Sequence, residues 1–180
     1  MPDVTLFPAL VPRGLYVVLS FTMTANQQVW SLYYHEGSIP SPFLNTPIER
    51  GQRHTVLVDH YNRWRVQHNA LYSMTTTSHM VIGCLHLGTI DPQHVQDLPG
   101  HLAHFDTDVN NAIGQDPRES WALRVIERLI RYQIIRLVNQ APPNFMNHIQ
   151  AEIRQFSVFA LGQTNGERIP RPVRHCRLFA

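Results

Sequence analysis

Lysine is absent from this chain. All 15 strong cations are arginines, set against 13 carboxylates, so the formal charge is only +2. A protein without lysine has no Schiff-base amine, no pyridoxal-phosphate anchor and no phosphate-loop lysine. The simplest origin of the bias is codon usage in a GC-rich genome. Cysteine is almost as scarce. Cys84 and Cys176 stand far apart, with no Cys-x-x-Cys pair and no Cys/His spacing of the kind that holds structural zinc, so no metal and no cofactor are expected. Long apolar runs are missing too: none approaches the roughly 18 residues that read as a membrane span. The start, Met1-Pro2-Asp3-Val4-Thr5-Leu6, lacks a basic segment leading into an apolar one. Neither a membrane span nor a secretory leader is expected, and the default location is the cytoplasm.

The 180 residues are 43% hydrophobic and 16% charged, which suits one globular domain with a sizeable core. Residues 1–13 carry three prolines and read as an irregular lead-in. Leu15 to Met23 is rich in β-branched and aromatic residues and predicts a buried strand. A turn at Asn26-Gln27-Gln28 leads into a second strand, Val29 to His35, and the two form a hairpin. Gly37 to Pro47, rich in proline, reads as a loop. Gly51 to Asp59 and Asn62 to His68 predict another strand pair across a tight turn, in which Asp59 and Asn62 serve turn geometry. Ser78 to Ile90 predicts a long apolar strand.

The period then changes. Asp91-Pro92 and Asp116-Pro117 are helix starts, with proline just inside the first turn. The first predicts a short helix from Pro92 to Phe105. After the second, Trp121, Leu123, Val125, Ile126, Leu129, Ile130 and Ile134 recur near a 3.6-residue period, predicting a helix over about residues 117–139. Arg118, Arg124, Glu127, Arg128 and Arg131 fall largely on its other side and are expected in solvent. A further helix is predicted from Asn144 to Phe159, and residues 162–180 form a tail rich in arginine and proline. The fold class expected is therefore α+β: an antiparallel sheet of four to five strands packed against helices from the second half.

Several segments also fall in a known order: Leu15-Tyr16-Val17-Val18-Leu19, Val29-Trp30-Ser31-Leu32, Gly51-Gln52-Arg53-His54, Val81-Ile82-Gly83-Cys84-Leu85 and Arg118-Glu119-Ser120-Trp121. Across residues 14–132 the chain resembles an uncharacterised family of fungal proteins, itself similar to permuted papain-like proteins akin to lecithin retinol acyltransferase. The resemblance implies a Tyr-His-Trp segment supplying one histidine, a Gly-x-x-x-His strand supplying a second, and Asn-Cys-x-x-Trp at a helix N-terminus supplying the thiolate. Anchored on Trp121, the thiol position holds Arg118 and the asparagine position Pro117. Anchored on Trp30, the first histidine position holds Val29. Only His54 matches. A helix dipole can stabilise a thiolate, but neither arginine nor valine can replace nucleophile or base, so covalent thiol catalysis is not expected. Ser120, the nearby hydroxyl, reads as a residue of the first helical turn.

Other groups could still carry chemistry. His54, Val56 and Val58 share one strand face, so His54 points inward, either as a satisfied core histidine or as an acid/base group. His86 alternates with Cys84 and Ile82 and is expected to face the same pocket. His35-Glu36 would work as a pair only if the strand bends there. With Trp30, Tyr34, Trp64 and Trp121 as walls, the cavity expected is aromatic and mildly basic, suited to a small apolar organic molecule. Cys84 reads as a buried thiol. Cys176 lies among arginines, which would lower its pKa if it were exposed. Arg168, Arg171, Arg174 and Arg177 could meet an anionic partner, but +2 overall argues against nucleic acid. The leading expectation is a non-covalent enzyme, a cyclase or isomerase of secondary-metabolite biosynthesis with His54 helped by His86 or His35. The alternative is a pseudoenzyme that binds a ligand or protein partner, with self-association as a homo-oligomer left open. A single closed pocket holding both His54 and His86 would favour the enzyme, and separation of the two would count against it.

Overall fold

In the computed structural model the described residues are 10–22, 27–40, 47–73, 81–103, 116–138, 141–164 and 171–179. Six strands form one mixed sheet in the order β4-β3-β2-β1-β5-β6. They are β1 (Gly14–Thr22), β2 (Gln27–Ile39), β3 (Ile48–Val58), β4 (Trp64–Ser73), β5 (Val81–Thr89) and β6 (Val173–His175). The first five pair antiparallel, and β6 joins β5 in parallel. The helices are α1 (Leu98–Ala103), α2 (Pro117–Arg131) and α3 (Phe145–Thr164). The α+β class is as expected. No helix among the described residues is long and apolar enough to cross a membrane.

The β3–β4 hairpin forms where its turn residues put it, whereas Gln27 and Gln28, expected in the β1–β2 turn, are already strand, paired with Thr22 and Phe21. Asp59 organises the β3–β4 turn: its Oδ1 accepts the backbone N–H groups of Tyr61 and Arg63, both at 2.9 Å. Asn62 takes φ 60°, a conformation asparagine tolerates. The β2 strand runs four residues past the expected end, through a register shift between His35 and Gly37, so Gly37 to Ile39 is strand and not loop. Opposite this shift, a side chain at Gly51 would collide with the Tyr34 carbonyl and meet the Tyr33 ring at 2.7 Å. The missing Cβ is what lets that ring lie against β3.

One sheet face is covered by α2, over β2 and β3, and by α3, over β5. Leu15, Val17, Leu19, Trp30, Leu32, Tyr34, Val56, Leu85 and Leu87 meet Trp121, Val125, Ile126 and Leu129 of α2 and Ile153, Phe156 and Ala160 of α3 in the main core. The apolar period of α2 therefore does what its spacing predicts, but the helix stops eight residues before 139. Its end is a Schellman motif: Gln133 N–H donates to Ile130 O and Ile134 N–H to Leu129 O, both at 2.9 Å. Gln133 has φ 58° where glycine is usual, so no glycine marks the stop in the sequence. A second bulky residue in this conformation is Arg13, φ 62°, third in the turn Val11-Pro12-Arg13-Gly14, which the Gly14 N–H to Val11 O bond closes at 2.9 Å. A type II turn also favours glycine there. Each substitution for glycine costs roughly 1 kcal/mol.

Other boundaries move. Pro92 to Phe105 is a 3-10 turn (Pro92–His94), then α1; Phe105 and Asn26 lie outside the described residues. The α3 helix extends five residues beyond Phe159. The tail is not wholly irregular: β6 lies in it, and Glu152 of α3 accepts the Arg177 N–H at 3.0 Å and the Cys176 thiol at 3.3 Å.

Where α3 crosses β5, a Cβ at Gly83 would sit 3.0 Å from both Ala160 Cβ and Phe156 Cζ. Overpacking of this kind costs about 1–3 kcal/mol. Gly83→Val is therefore expected to lower the urea midpoint by a corresponding amount without changing the m-value, and an unchanged midpoint would show that α3 does not seat on β5.

Candidate functional site

Strand register decides which side chains can cooperate. Leu32 pairs with Val17 on one side and His54 on the other, and Val17 pairs with Leu85. Facing pairs share a side of the sheet, so His54 shares the helix-covered face with Leu85. His86, one residue on, pairs with Tyr16 and lies on the opposite face. His35 lies there too. The expected shared pocket of His54 and His86 is thus corrected: the sheet separates them.

On the helix face the register collects His54, Trp30, Tyr34 and Trp64, and α2 adds Trp121. Trp30 and Trp121 are each 1% exposed, and His54 is fully buried, so these are packed core side chains and not the walls of an open cavity. The apolar stripe of α2 fills the space that a ligand would need. His54 faces His68 directly across β3 and β4, with the His68 Nδ1 3.0 Å from His54 Nε2. Burial, and next the His68 charge, push the His54 pKa down to about 3. His54 is therefore neutral in the fold. His68 was legible from the Asp59–Asn62 turn, which sets its register opposite His54.

The nucleophile position of the resembled family is occupied in a specific way. Asp116 caps α2 and its carboxylate chelates Arg118, taking Nε at 2.8 Å, Nη2 at 2.5 Å and the backbone N–H at 2.9 Å. Burial raises the Asp116 carboxyl, but these bonds outweigh it and the net direction is down. The guanidinium also lies 5.6 Å from the Trp64 ring centroid. Arg118 is buried, correcting the expectation of a solvated arginine face at this position. A cation at a helix N-terminus opposes the macrodipole, and the capping carboxylate offsets that. Ser120 lies in the first turn, its N–H on Asp116 O at 3.0 Å.

The other face holds a polar array, buried at Tyr33 and His35 and opening to solvent at its edges. His35 Nδ1 lies 3.3 Å from the Tyr33 hydroxyl, and its Nε2 lies 3.1 Å from Glu49, which also accepts the Ser38 hydroxyl at 2.7 Å. Burial lowers the His35 pKa, with Glu49 opposing it. Glu36, the expected partner of His35, instead accepts from Gln52 at 2.9 Å. Further along, the Tyr16 ring lies 4.8 Å from His86, whose Nδ1 is 2.9 Å from His175 Nδ1 on β6. Burial and the His175 charge lower the His86 pKa. Arg53 donates to the Ser20 and Ser31 hydroxyls at 3.1 and 2.8 Å. Glu49 stood between the expected loop, which ended at Pro47, and the strand expected from Gly51, and His175 stood in the tail, so neither carried a local signal.

Both thiols are buried. Burial holds the Cys84 pKa far above the usual thiol range, and burial with Glu152 pushes Cys176 up to about 12. The cations around Cys176 therefore do not activate it. Two surface clefts have volumes of about 220 and 310 Å³; Glu152, the partner of Cys176, lines the first, and the second is lined by residues outside the histidine clusters. Among the described residues, no group of three or more His, Cys, Asp or Glu is placed to hold a metal ion. Comparisons with protein-family models, curated proteins and solved structures find no match.

A histidine buried neutral has a defined pH signature. The unfolded chain takes up a proton on His54 below about pH 6.5, and the folded chain refuses it down to about 3. Stability from this group is thus full above 6.5 and is lost as pH falls through that window; His35 and His86 shift in the same direction. His54→Gln is expected to give a shallower fall in unfolding free energy between pH 6.5 and 4. An unaltered acid-side slope in urea titrations would mean that His54 is protonated in the fold.

Proposed function

We propose that this chain is a binding protein that resembles a papain-like acyltransferase in layout, with the place of the nucleophile closed. The observation that carries the reading is the Asp116–Arg118–Trp64 arrangement: the helix terminus that would stabilise a thiolate is occupied by the chain's own carboxylate. Burial of both thiols and the separation of His54 from His86 point the same way. Binding a ligand or partner without covalent turnover is the function left to such a scaffold.

The native protein is expected to resist iodoacetamide at both cysteines and to leave simple thioesters and esters uncleaved, with both thiols alkylated on unfolding in urea. Rapid labelling of Cys84 or Cys176 in the folded state, or an acyl adduct on either, would falsify it.

A second reading, non-covalent acid/base enzymology of the cyclase or isomerase type, draws support from one feature, the Glu49–His35–Tyr33 chain. A carboxylate that orients a histidine, which in turn faces a phenol, is a proton relay in outline. Under that reading Glu49→Gln abolishes turnover of a bound compound and spares its binding. Under the first it alters stability alone.

A further inference from the structure

We propose that the 310 Å³ cleft at the start of β1 and the end of β5 is a binding site for a small organic oxyanion, a carboxylate or phosphate on a compact apolar body. This goes beyond the binding reading by naming a site and a ligand class, and it rests on that reading.

The argument starts from backbone strain. Among the described residues, three non-glycine positions have φ in the left-handed region: Arg13, Asn62 and Gln133. Asn62 is a residue type that tolerates it. The other two are long side chains at places where glycine is the default, the third position of a type II turn and the C′ position of a Schellman motif. They are 120 residues apart in sequence, yet both line the same cleft. Glycine would satisfy the backbone at either site. The Arg13 N–H donates to His35 O at 2.7 Å and its carbonyl accepts from Ile90 N–H at 2.9 Å, bonds that need no side chain. Strained backbone tends to persist where a side chain is held for use.

The lining says what that use is. Arg13 and Arg136 bring two guanidiniums, Gln133 an amide and Thr89 a hydroxyl, while exposed Pro92 supplies an apolar ring; Ile134 and Ile135 beneath are buried in the core. Among the described residues neither arginine forms an ion pair. Asp91, also on the lining, uses its carboxylate to cap the 3-10 turn through the Gln93 N–H at 3.2 Å. Two planar cationic forks against one engaged carboxylate leave a positive balance, and guanidinium geometry matches carboxylate and phosphate oxygens. The C-terminal end of α2 opposes an anion, but the Leu129 and Ile130 carbonyls there are taken by the Ile134 and Gln133 N–H groups. The volume suits a small ring or short chain, and the Pro92 ring gives it an apolar surface.

The test uses the full chain with benzoate and phenyl phosphate as probes and benzyl alcohol as the neutral control. Saturable binding of either anion, read by calorimetry and by a rise in Tm, is expected at millimolar concentration or below, with none for the alcohol. Arg13→Gly should raise the Tm of the free protein, because it relieves the strain, and weaken binding about tenfold or more. Arg136→Gln should weaken binding comparably with little change in Tm. Gain of stability with loss of affinity separates a ligand role from a folding role. The proposal is overturned if neither anion binds, if both variants bind as the parent does, or if Arg174→Gln in the other cleft removes binding instead. Thiol accessibility is measured separately, so failure of this site and failure of the binding reading are told apart.

Discussion

Strand β1 is hydrogen-bonded along both edges, to β2 on one side and β5 on the other, and every other strand takes its place from that one. A β-strand alternates its side chains with period two, so the register along β1 assigns each residue of the sheet to one face or the other. Leu15, Val17 and Leu19 go to the helices. Tyr16, Val18 and Ser20 go to the other side, among Tyr33, Cys84, Ser31 and Arg53. This constraint produces an apolar core beneath α2 and α3 and a polar, histidine-bearing face opposite. It also decides the chemistry, because two groups on opposite faces cannot touch one substrate.

The histidines consequently work in separate local pairings: His54 with His68, His86 with His175, and His35 with Glu49 and Tyr33. Each of the three inner histidines is driven toward its neutral form chiefly by burial. In two cases a second histidine across the strand pair adds to the effect, since two imidazolium ions about 3 Å apart would repel strongly. The pairings are therefore cheapest when at most one ring is charged. That arrangement supports a stable sheet near neutral pH, and it leaves His54 and His86 on opposite faces of the sheet.

Local signals in the sequence carried local structure. The Asp59–Asn62 turn, the proline-led start of α2 and its 3.6-residue apolar period were all readable, and with them the α+β class. Non-local features were not. The face of His86 depends on how β5 sits against β1, including register shifts at Leu15/Tyr16 and Leu19/Ser20 that no neighbouring residue announces. The β6 strand is three residues inside an arginine-rich tail and exists because β5 offers an edge. The α2 helix was overextended because Ile134 and Ile135 continue its apolar pattern while the residue that ends it is Gln133 and not glycine. Arg118 was misplaced because the period alone put it toward solvent, whereas the Asp116 carboxylate and the Trp64 ring hold it inward.

The absence of lysine has a structural side that codon usage alone does not convey. Arg118 uses Nε, Nη2 and its backbone N–H on a single carboxylate while its plane lies near an indole. Arg53 reaches two serine hydroxyls on neighbouring strands from one nitrogen. Arg63 and Arg65 converge on Asp59 at the hairpin, and Arg174 lies 4.7 Å from the centroid of the Phe159 ring. These contacts depend on a flat, forked, weakly hydrated cation that stacks and donates along more than one direction. An ammonium group supplies a point charge and a tighter hydration shell, and would leave the Asp116 fork half satisfied. Whatever biased the composition toward arginine, the chain uses guanidinium geometry at the cap of its main helix and, in more exposed pairs, at the turn of its outer hairpin.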